Sequence, residues 1–360
     1  MKLVVDLRLI HNSGIGTYIK NVLPSLIDHF DKVYAIGVPE VIDSFDWSKK
    51  LHIIRFDAKV YSLKEQILYP FKIPKCDVLW IPHFNAPIYN VKSKKMVVTI
   101  HDVNHLSNPT NFSFLKRLWA KILYRNSAKN SEMIFTVSEF SKSEILTFFN
   151  INKEKIKVVY GGINLNFVKN SACSVKLNLP DNYFLFVGNV KKHKNLITLL
   201  KAYNQLNSEI KSKYKIVILG RKEGFITQDN EIFKYIKKTK LEESIHFTGY
   251  LEDDLIPKVY VNASIFIFPS LYEGFGLPLL EAMVCKIPVL SSDRASLKEV
   301  GGDAVMYFDP TNAIDLKNKL EQLLLDSDVI MNLVSKGLEQ IKLFDWKYSI
   351  ERHVNYFKEL

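Results

Sequence analysis

At 360 residues the chain is too long for one ordinary hydrophobic core and fits two domains of roughly 150 to 180 residues each. Its 47% hydrophobic and 24% charged residues exclude a disordered protein, and Cys76, Cys173 and Cys285 are too few and too scattered for a disulfide framework or a zinc site. The formal charge of +11 points to anionic partners (nucleotide, nucleic acid or acidic membrane) without choosing among them. The opening "MKLVVDLRLIH" is not a secretory signal, because Asp6 and Arg8 interrupt a very short apolar run. No stretch approaches the roughly 20 apolar residues that span a bilayer. A protein of the reducing cytoplasm is expected.

Along the chain, apolar runs alternate with helical patterns, the mark of parallel α/β units. "KLVVDLRLI" reads as a first strand, "HNSGIG" as a turn and "TYIKNVLPSLIDHF" as the helix that follows. "DVLWIP", "KMVVTI", "EMIFTVS" and "IKVVYGG" read as further strands. A polar, aperiodic stretch at about 165–180 reads as a linker, separating an N-terminal domain over 1–168 from a second over 176–344. The pattern then restarts with "YFLFVG", the loop "NVKKHKN" and the helix "LITLLKAYNQL". Strands "YKIVILG", "SIHFTG", "SIFIFPS" and "IPVLSS" follow, and no repeat of 20 to 50 residues is visible. The expected fold class is α/β, with two doubly wound Rossmann-like domains facing across a cleft. Ligands of such sheets sit beyond the carboxyl ends of the strands.

Several features fall at those ends. Gly14 and Gly16 in "SGIGTY" either let a backbone approach a phosphate at a helix N-terminus or form a tight turn with no ligand. No third glycine completes a dinucleotide fingerprint, which disfavours a dehydrogenase. Lys191, Lys192, His193 and Lys194 follow the first strand of the second domain, and lysines so close together either bind an anion or fan into water. Arg221, after "KIVILG", is a further candidate cation. His101 and His83 each end a strand of the first domain, as site residues or as ordinary turn residues. Asp326 and Asp328 read as a helix-end turn rather than a metal clamp. In "FPSLYEGFGLPLLEAM" a Gly-rich turn carries a carboxylate at each end, Glu273 and Glu281.

"FLKRLWAKILYRNSAK" sets Phe114, Leu115, Leu118, Trp119, Ile122 and Leu123 along one helical face, with Lys116, Arg117, Lys121 and Arg125 on the other. Such a helix either packs its apolar stripe on its own sheet or lies on an anionic membrane. The last segment, "FDWKYSIERHVNYFKEL", reads as a terminal helix over 345–360 that crosses back to the first domain.

Together these motifs carry a resemblance. "SLYEGFGLPLLEAM" resembles the E-x7-E element of retaining GT-B glycosyltransferases of the family 4 type, the group typified by sucrose synthases and bacterial mannosyltransferases. "SGIGTYIKNVLPSL", "WIPHFNAP", "HDVNHL", "FTVSEFSKSEI", "VVYGGIN", "VGNVKKHKNL" and "PVLSSDRASLKEVGGDA" occur in the order that group uses. One departure is Asn189, where many members carry arginine after the glycine; Lys191 is expected to supply that charge.

The resemblance implies roles. The match to Glu273 accepts hydroxyls of the donor sugar, and the match to Glu281 accepts the paired hydroxyls of the nucleotide ribose. Acceptor-only carboxylates suit vicinal diols. Backbone groups of Gly274, Phe275, Gly276 and Leu277 would meet sugar and phosphate. Lys194, aided by Lys191, would hold the pyrophosphate, where charge develops on the leaving group. Leu251 matches a position whose backbone contacts the base, and His101 one that contacts the sugar near the reacting centre. Retention by double displacement needs two carboxyl groups about 5 Å apart. The family shows no agreed nucleophile, and front-face attack is the usual proposal, so neither glutamate is assigned as nucleophile. The implied enzyme is metal-independent and needs no cofactor. It takes a nucleotide-diphosphate sugar (GDP-mannose first, UDP-hexose next) and transfers to a saccharide or lipid-linked saccharide, with peripheral contact to an anionic membrane. A sugar-nucleotide epimerase of the same architecture would need carboxylates and histidines placed to abstract a sugar proton. A nucleic-acid binder would need a concentrated basic patch with stacking aromatics, whereas these lysines are dispersed.

Overall fold

The computed structural model describes residues 1–165, 167–168, 177–220 and 229–360. The chain forms two compact units, one of Met1–Gly161 with Trp346–Leu360, the other of Gly162–Asp345. The first holds strands β1 (Lys2–Asp6), β2 (Lys32–Gly37), β3 (His52–Arg55), β4 (Cys76–Ile81), β5 (Ser93–Thr99), β6 (Met133–Thr136) and β7 (Ile156–Val158). They make one sheet in the order β3-β2-β1-β4-β5-β6-β7, and every pairing is parallel. Helix α1 (Ser13–Ile27) follows β1, α2 (Leu63–Lys72) follows β3, and α3 (Phe114–Asn130) precedes β6. The second unit holds β8 (Tyr183–Val187), β9 (Lys215–Leu219), β10 (Ile245–Gly249), β11 (Ile265–Phe268), β12 (Val289–Ser292) and β13 (Met306–Phe308). Its order is β10-β9-β8-β11-β12-β13, again parallel throughout. There α4 (Leu196–Asn204) follows β8 and α5 (Leu277–Val284) follows β11. Helix α6 (Trp346–Lys358) belongs to the first unit.

Two doubly wound α/β sheets are what the apolar runs predict. Both faces of a parallel sheet are covered, so its strands read as unbroken apolar stretches. Successive side chains alternate between faces. Leu3 and Val5 therefore enter one core with Trp80 and Val97, while Val4 enters the other with Leu79 and Val98. β2, β3 and β13 have no counterpart among the strands expected from sequence. β3 and β13 are short and largely half-buried, so their apolar signal is weak. Among the described residues, no helix is long and apolar enough to cross a membrane.

Helix α6 lays Trp346 and Phe357 into the first core, Phe357 meeting Phe30 and Trp80 edge-on at 5.9 and 5.7 Å. Its His353 is fully buried. His353 Nδ1 lies 2.7 Å from the Ser349 carbonyl, which only accepts, so Nε2 is left to accept from the Tyr18 hydroxyl at 2.5 Å. Thr99 Oγ1, 3.3 Å from that hydroxyl, in turn accepts from Trp80 Nε1 at 3.1 Å. Helix α1, strands β4 and β5 and helix α6 are thereby tied through one chain of hydrogen bonds.

A second buried polar group braces the end of β1. The Arg8 guanidinium donates to Asp6 at 2.5 Å, to Glu65 of α2 at 2.6 Å and to the Ala58 carbonyl at 3.1 Å. It also contacts the Tyr69 hydroxyl and stacks on the Phe56 ring, 4.4 Å from its centroid. Burial alone pushes the Asp6 carboxyl up, but the adjacent guanidinium overrides this and holds it below the usual range. Glu65, with no exposed surface, is raised because its burial outweighs its share of Arg8. Removing the cation would strand two buried carboxyl groups. Arg8→Met is expected to lower unfolding stability by about 3–5 kcal/mol, and the triple change Asp6→Asn, Arg8→Met, Glu65→Gln to recover most of it. Urea unfolding of both variants checks this; a loss of under about 1 kcal/mol for Arg8→Met would show the cluster to be solvated.

Candidate functional site

In the second sheet the strand order reverses between β8 and β11, and an open α/β sheet has its binding crevice at that switch point. The two loops leaving these strands are the lysine loop and the Gly-rich loop. They are joined by an ion pair, Lys194 Nζ donating to Glu273 Oε1 at 2.7 Å, both side chains mostly shielded from water. Burial acts to raise the Glu273 carboxyl, but the Lys194 ammonium prevails and the group is held below the ordinary carboxylate range. His193 is pushed down to about 4, by burial first and by the neighbouring lysine charges second, so its imidazole is neutral. Lys191 opens the short turn that contains His193 and is half-buried.

Buried side chains hold these loops from behind. Asn195, in the left-handed conformation, donates through Nδ2 to the carbonyls of Pro269 at 3.0 Å and Pro310 at 2.8 Å. The Leu271 amide donates to the His193 carbonyl at 2.8 Å, so the two loops share a backbone bond as well. Ser296 Oγ lies 2.9 Å from the Glu273 carbonyl and 2.7 Å from that of Phe275, and Ser292 Oγ donates to the Ser270 carbonyl at 2.6 Å. Gly276, at φ +111°, precedes the first residue of α5 in a conformation that L side chains rarely adopt, and a methyl there would press on Leu297 at 2.9 Å. Leu277 then begins a helix whose N-terminal end, with its partial positive charge, faces the loop.

Glu281 has a different setting. It is half-buried one turn into α5, and its Oε2 accepts from the fully buried Tyr260 hydroxyl at 2.6 Å. Burial without a cation pushes its carboxyl up to about 7, only partly offset by that hydroxyl. The two glutamates are thus shifted in opposite directions although they share one segment. Leu251 is half-buried in the loop after β10. Arg221 lies outside the described residues.

In the first unit the switch point falls between β1 and β4. "SGIG" is not a turn ahead of the helix, as the sequence suggests, but the first turn of α1 itself, which begins at Ser13. The glycines differ. A methyl at Gly16 would overlap the Ile10 carbonyl, so that glycine closes the loop on the helix, whereas a methyl at Gly14 would meet open space. His101, just past β5, lies 3.1 Å from the Pro82 carbonyl through Nε2. A carbonyl only accepts, so Nε2 carries the proton and Nδ1 keeps a lone pair. Burial pushes this imidazole down to about 4, offset only in part by Pro82. The Tyr18 ring fixes its plane edge-on at 5.0 Å, and His83 stands beside it at 6.5 Å between ring centroids.

Asp326 caps the helix Ser327–Gln340, accepting from the amides of Asp328 and Val329. On α3 the stripe read as one face divides. Leu123 is buried and Trp119 half-buried, but Phe114, Leu115, Leu118 and Ile122 face solvent. Asn195, Tyr260 and Ser296 were not singled out in sequence. Their signal, a lone polar residue among apolar ones, is too common to select them.

Comparison with known proteins bears on both units. Residues 14–167 match the glycosyltransferase family 4 domain, and residues 170–340 match glycosyl transferases group 1. The O-antigen chain mannosyltransferase B of Escherichia coli is 30% identical over 78% of this chain and 73% of its own length. The N-acetylgalactosamine-N,N'-diacetylbacillosaminyl-diphospho-undecaprenol 4-alpha-N-acetylgalactosaminyltransferase of Campylobacter jejuni is 27% identical over 69% of this chain and 64% of its own. In architecture the chain is similar to Anabaena HepE in complex with UDP-glucose, with a TM-score of 0.77, 15% identity and all of both chains covered. With two parallel doubly wound sheets, a family domain matched in each half and a relative of this similarity, the chain belongs to the glycosyltransferases that join a family 4 domain to a group 1 domain, and it is a hexosyltransferase of the GT-B fold.

Proposed function

We propose that this enzyme transfers mannose, with retention of anomeric configuration, from GDP-mannose to a saccharide or lipid-linked saccharide during surface polysaccharide synthesis. The observation that carries the reading is the pairing of Lys194 with Glu273 at the β8–β11 switch point. A cation and an acceptor carboxylate, held together on braced loops, suit a diphosphate next to a sugar hydroxyl. The mannosyl donor is supported by the E. coli relative, and the lipid-linked acceptor by the C. jejuni one. UDP-hexose is the second reading, favoured by the likeness to a UDP-glucose complex.

In this reading Lys194, aided by Lys191, takes the departing diphosphate, and Glu273 turns to the sugar hydroxyls once its cation is shared. The backbone from Gly274 to Leu277 meets sugar and phosphate, Glu281 accepts the ribose hydroxyls, and Leu251 lies against the base. Gly14 leaves room for a phosphate. The neutral His101, its proton committed to Pro82, offers Nδ1 to a sugar hydroxyl and carries no charge. The reaction runs in the cytoplasm without a metal ion, the lysines supplying the neutralising charge.

A panel of sugar nucleotides in a thermal-shift assay tests the donor, since a ligand that binds only the folded state raises the melting temperature. GDP-mannose should give the largest rise; a larger one with a UDP-hexose would overturn the mannosyl assignment. Glu281→Ala should weaken binding of the bare nucleoside diphosphate. His101→Ala and Glu273→Ala should leave it nearly unchanged while each lowers kcat on the order of 10². Calorimetry beside steady-state kinetics separates the two groups, and near-normal turnover for His101→Ala would remove that residue from the site.

Excess chelator should leave turnover at its level in magnesium or manganese. Activity lost with EDTA and restored by a divalent ion would refute metal independence.

The raised Glu281 carboxyl also makes a stability forecast. The folded protein holds that proton more tightly than the unfolded chain, whose ordinary value is near 4.5. The contribution to stability is therefore complete below that value and is lost as pH rises through about 7. Glu281→Gln should match the ligand-free wild type at acid pH and exceed it in urea unfolding at pH 8. Equal stability of the two at both ends of the range would show that Glu281 ionises freely.

A further inference from the structure

His101 is held at its backbone, at one ring nitrogen and at its ring plane by different elements. Ser141 Oγ donates to the His101 carbonyl at 3.0 Å, which fixes where the side chain starts. The ring then donates from Nε2 to the Pro82 carbonyl at 3.1 Å. A ring tied at one nitrogen can still swing about that tie. The Nδ1 lone pair lies in the ring plane and would swing with it. The Tyr18 ring of α1 stands at 90° to the imidazole, with centroids 5.0 Å apart, and removes this freedom.

Tyr18 can set that plane only if its own ring is set, and its hydroxyl is anchored on both sides. The Nδ1 proton of His353 belongs to the Ser349 carbonyl at 2.7 Å. Burial pushes the His353 imidazole down to about 4, offset only in part by that carbonyl, so Nε2 keeps its lone pair. It takes the Tyr18 proton at 2.5 Å. With that proton used, the Tyr18 oxygen faces the Thr99 hydroxyl as an acceptor at 3.3 Å. His353 has no exposed surface and packs on Phe135 and Tyr18, with ring centroids 4.6 and 5.4 Å away. A leucine of similar size would fill this core place and need no hydrogen-bond partner. An imidazole there has one property leucine lacks, an acceptor aimed at the tyrosine.

We propose that His353 and Tyr18 are positioning residues for His101. Helix α6 sets the tyrosine, and the tyrosine sets the plane in which His101 Nδ1 meets its hydroxyl. The last helix thereby serves the site as well as the core. The catalytic value of this coupling rests on the role proposed above for His101, whereas the coupling itself rests on the contacts alone.

The test follows nucleoside diphosphate release from the donor that gives the largest thermal shift. His353→Leu removes the acceptor at similar size, and Tyr18→Phe removes the hydroxyl but keeps the ring. Each should lower kcat on the order of tenfold, with donor KM and calorimetric affinity for the nucleoside diphosphate unchanged. His353→Gln, whose amide oxygen can take the same proton, should restore most of the rate. The two losses should not multiply in the double variant, because both break one hydrogen bond. In a His101→Ala background neither change should cost anything further, an outcome that general loosening of the core would not give. If His353→Leu fails to fold, Tyr18→Phe carries the same comparisons. NMR of protein labelled in its histidine ring nitrogens adds a readout that needs no substrate. The His101 signals, assigned by their loss in His101→Ala, should move in His353→Leu and Tyr18→Phe and hold in His353→Gln. Where His101→Ala lowers turnover, a wild-type rate for both variants would overturn the proposal. So would losses that persist in the His101→Ala background, or His101 signals that move in neither variant. Moved signals beside a normal rate for His101→Ala would uphold the positioning and refute the reading of His101 as a sugar contact instead.

Discussion

Every strand in each sheet runs in the same direction, and the position of the candidate site follows from that constraint. Parallel strands send all their strand-to-helix loops out at one edge, and at a switch point the neighbouring loops diverge to opposite faces and leave a crevice. In the second unit the loops at that point carry Lys194 and Glu273. Regular structure brings the loops to the place but does not hold their shape. Asn195, Ser292 and Ser296 do so, by tying their side chains to loop carbonyls.

Three buried or half-buried carboxyl settings form a graded series. Asp6 and Glu65 share one guanidinium with aromatic walls, a closed arrangement in which every charge already has its partner. Glu273 is paired but sits on a loop at the sheet edge, so its cation is open to exchange. Among the described residues, Glu281 has the neutral hydroxyl of Tyr260 as its hydrogen-bond partner. A carboxyl that is shielded from water yet short of donors is poised to receive hydroxyl groups, whereas one already saturated serves the fold. Glutamate is thus tied to a guanidinium at position 65 and, among the described residues, to a neutral hydroxyl at position 281.

The architecture was largely legible in the sequence because burial on both faces writes parallel strands as plain apolar runs, as in "YFLFVG" and "SIFIFPS". Strands β3 and β13 were not, since short strands with half-buried side chains barely differ from loops. The lysine loop and the Gly-rich loop stood out because their residue types are costly without a purpose. What the sequence could not convey was pairing across distance, such as Lys194 with Glu273 or Tyr260 with Glu281, which depends on which strands become neighbours. The stripe on α3 was misjudged for a related reason. Hydrophobic spacing identifies a face but not its direction, and here small and aromatic residues, Ala120, Tyr124 and Ala128, fill the inward side instead.

The return of the chain to its first unit has a consequence for biosynthesis. Residues 162–345 form the second unit from one unbroken stretch, whereas the first core takes Trp346 and Phe357 from beyond that stretch. During translation the N-terminal sheet therefore emerges with part of one face uncovered, and with Tyr18 lacking its acceptor His353. The Tyr18–His353 bond spans 335 positions in sequence, so its loop-closure entropy is met only after the intervening unit has been made. The unit whose strands are made first is completed only once α6 has been made, and until then its open apolar face is a natural client for a chaperone.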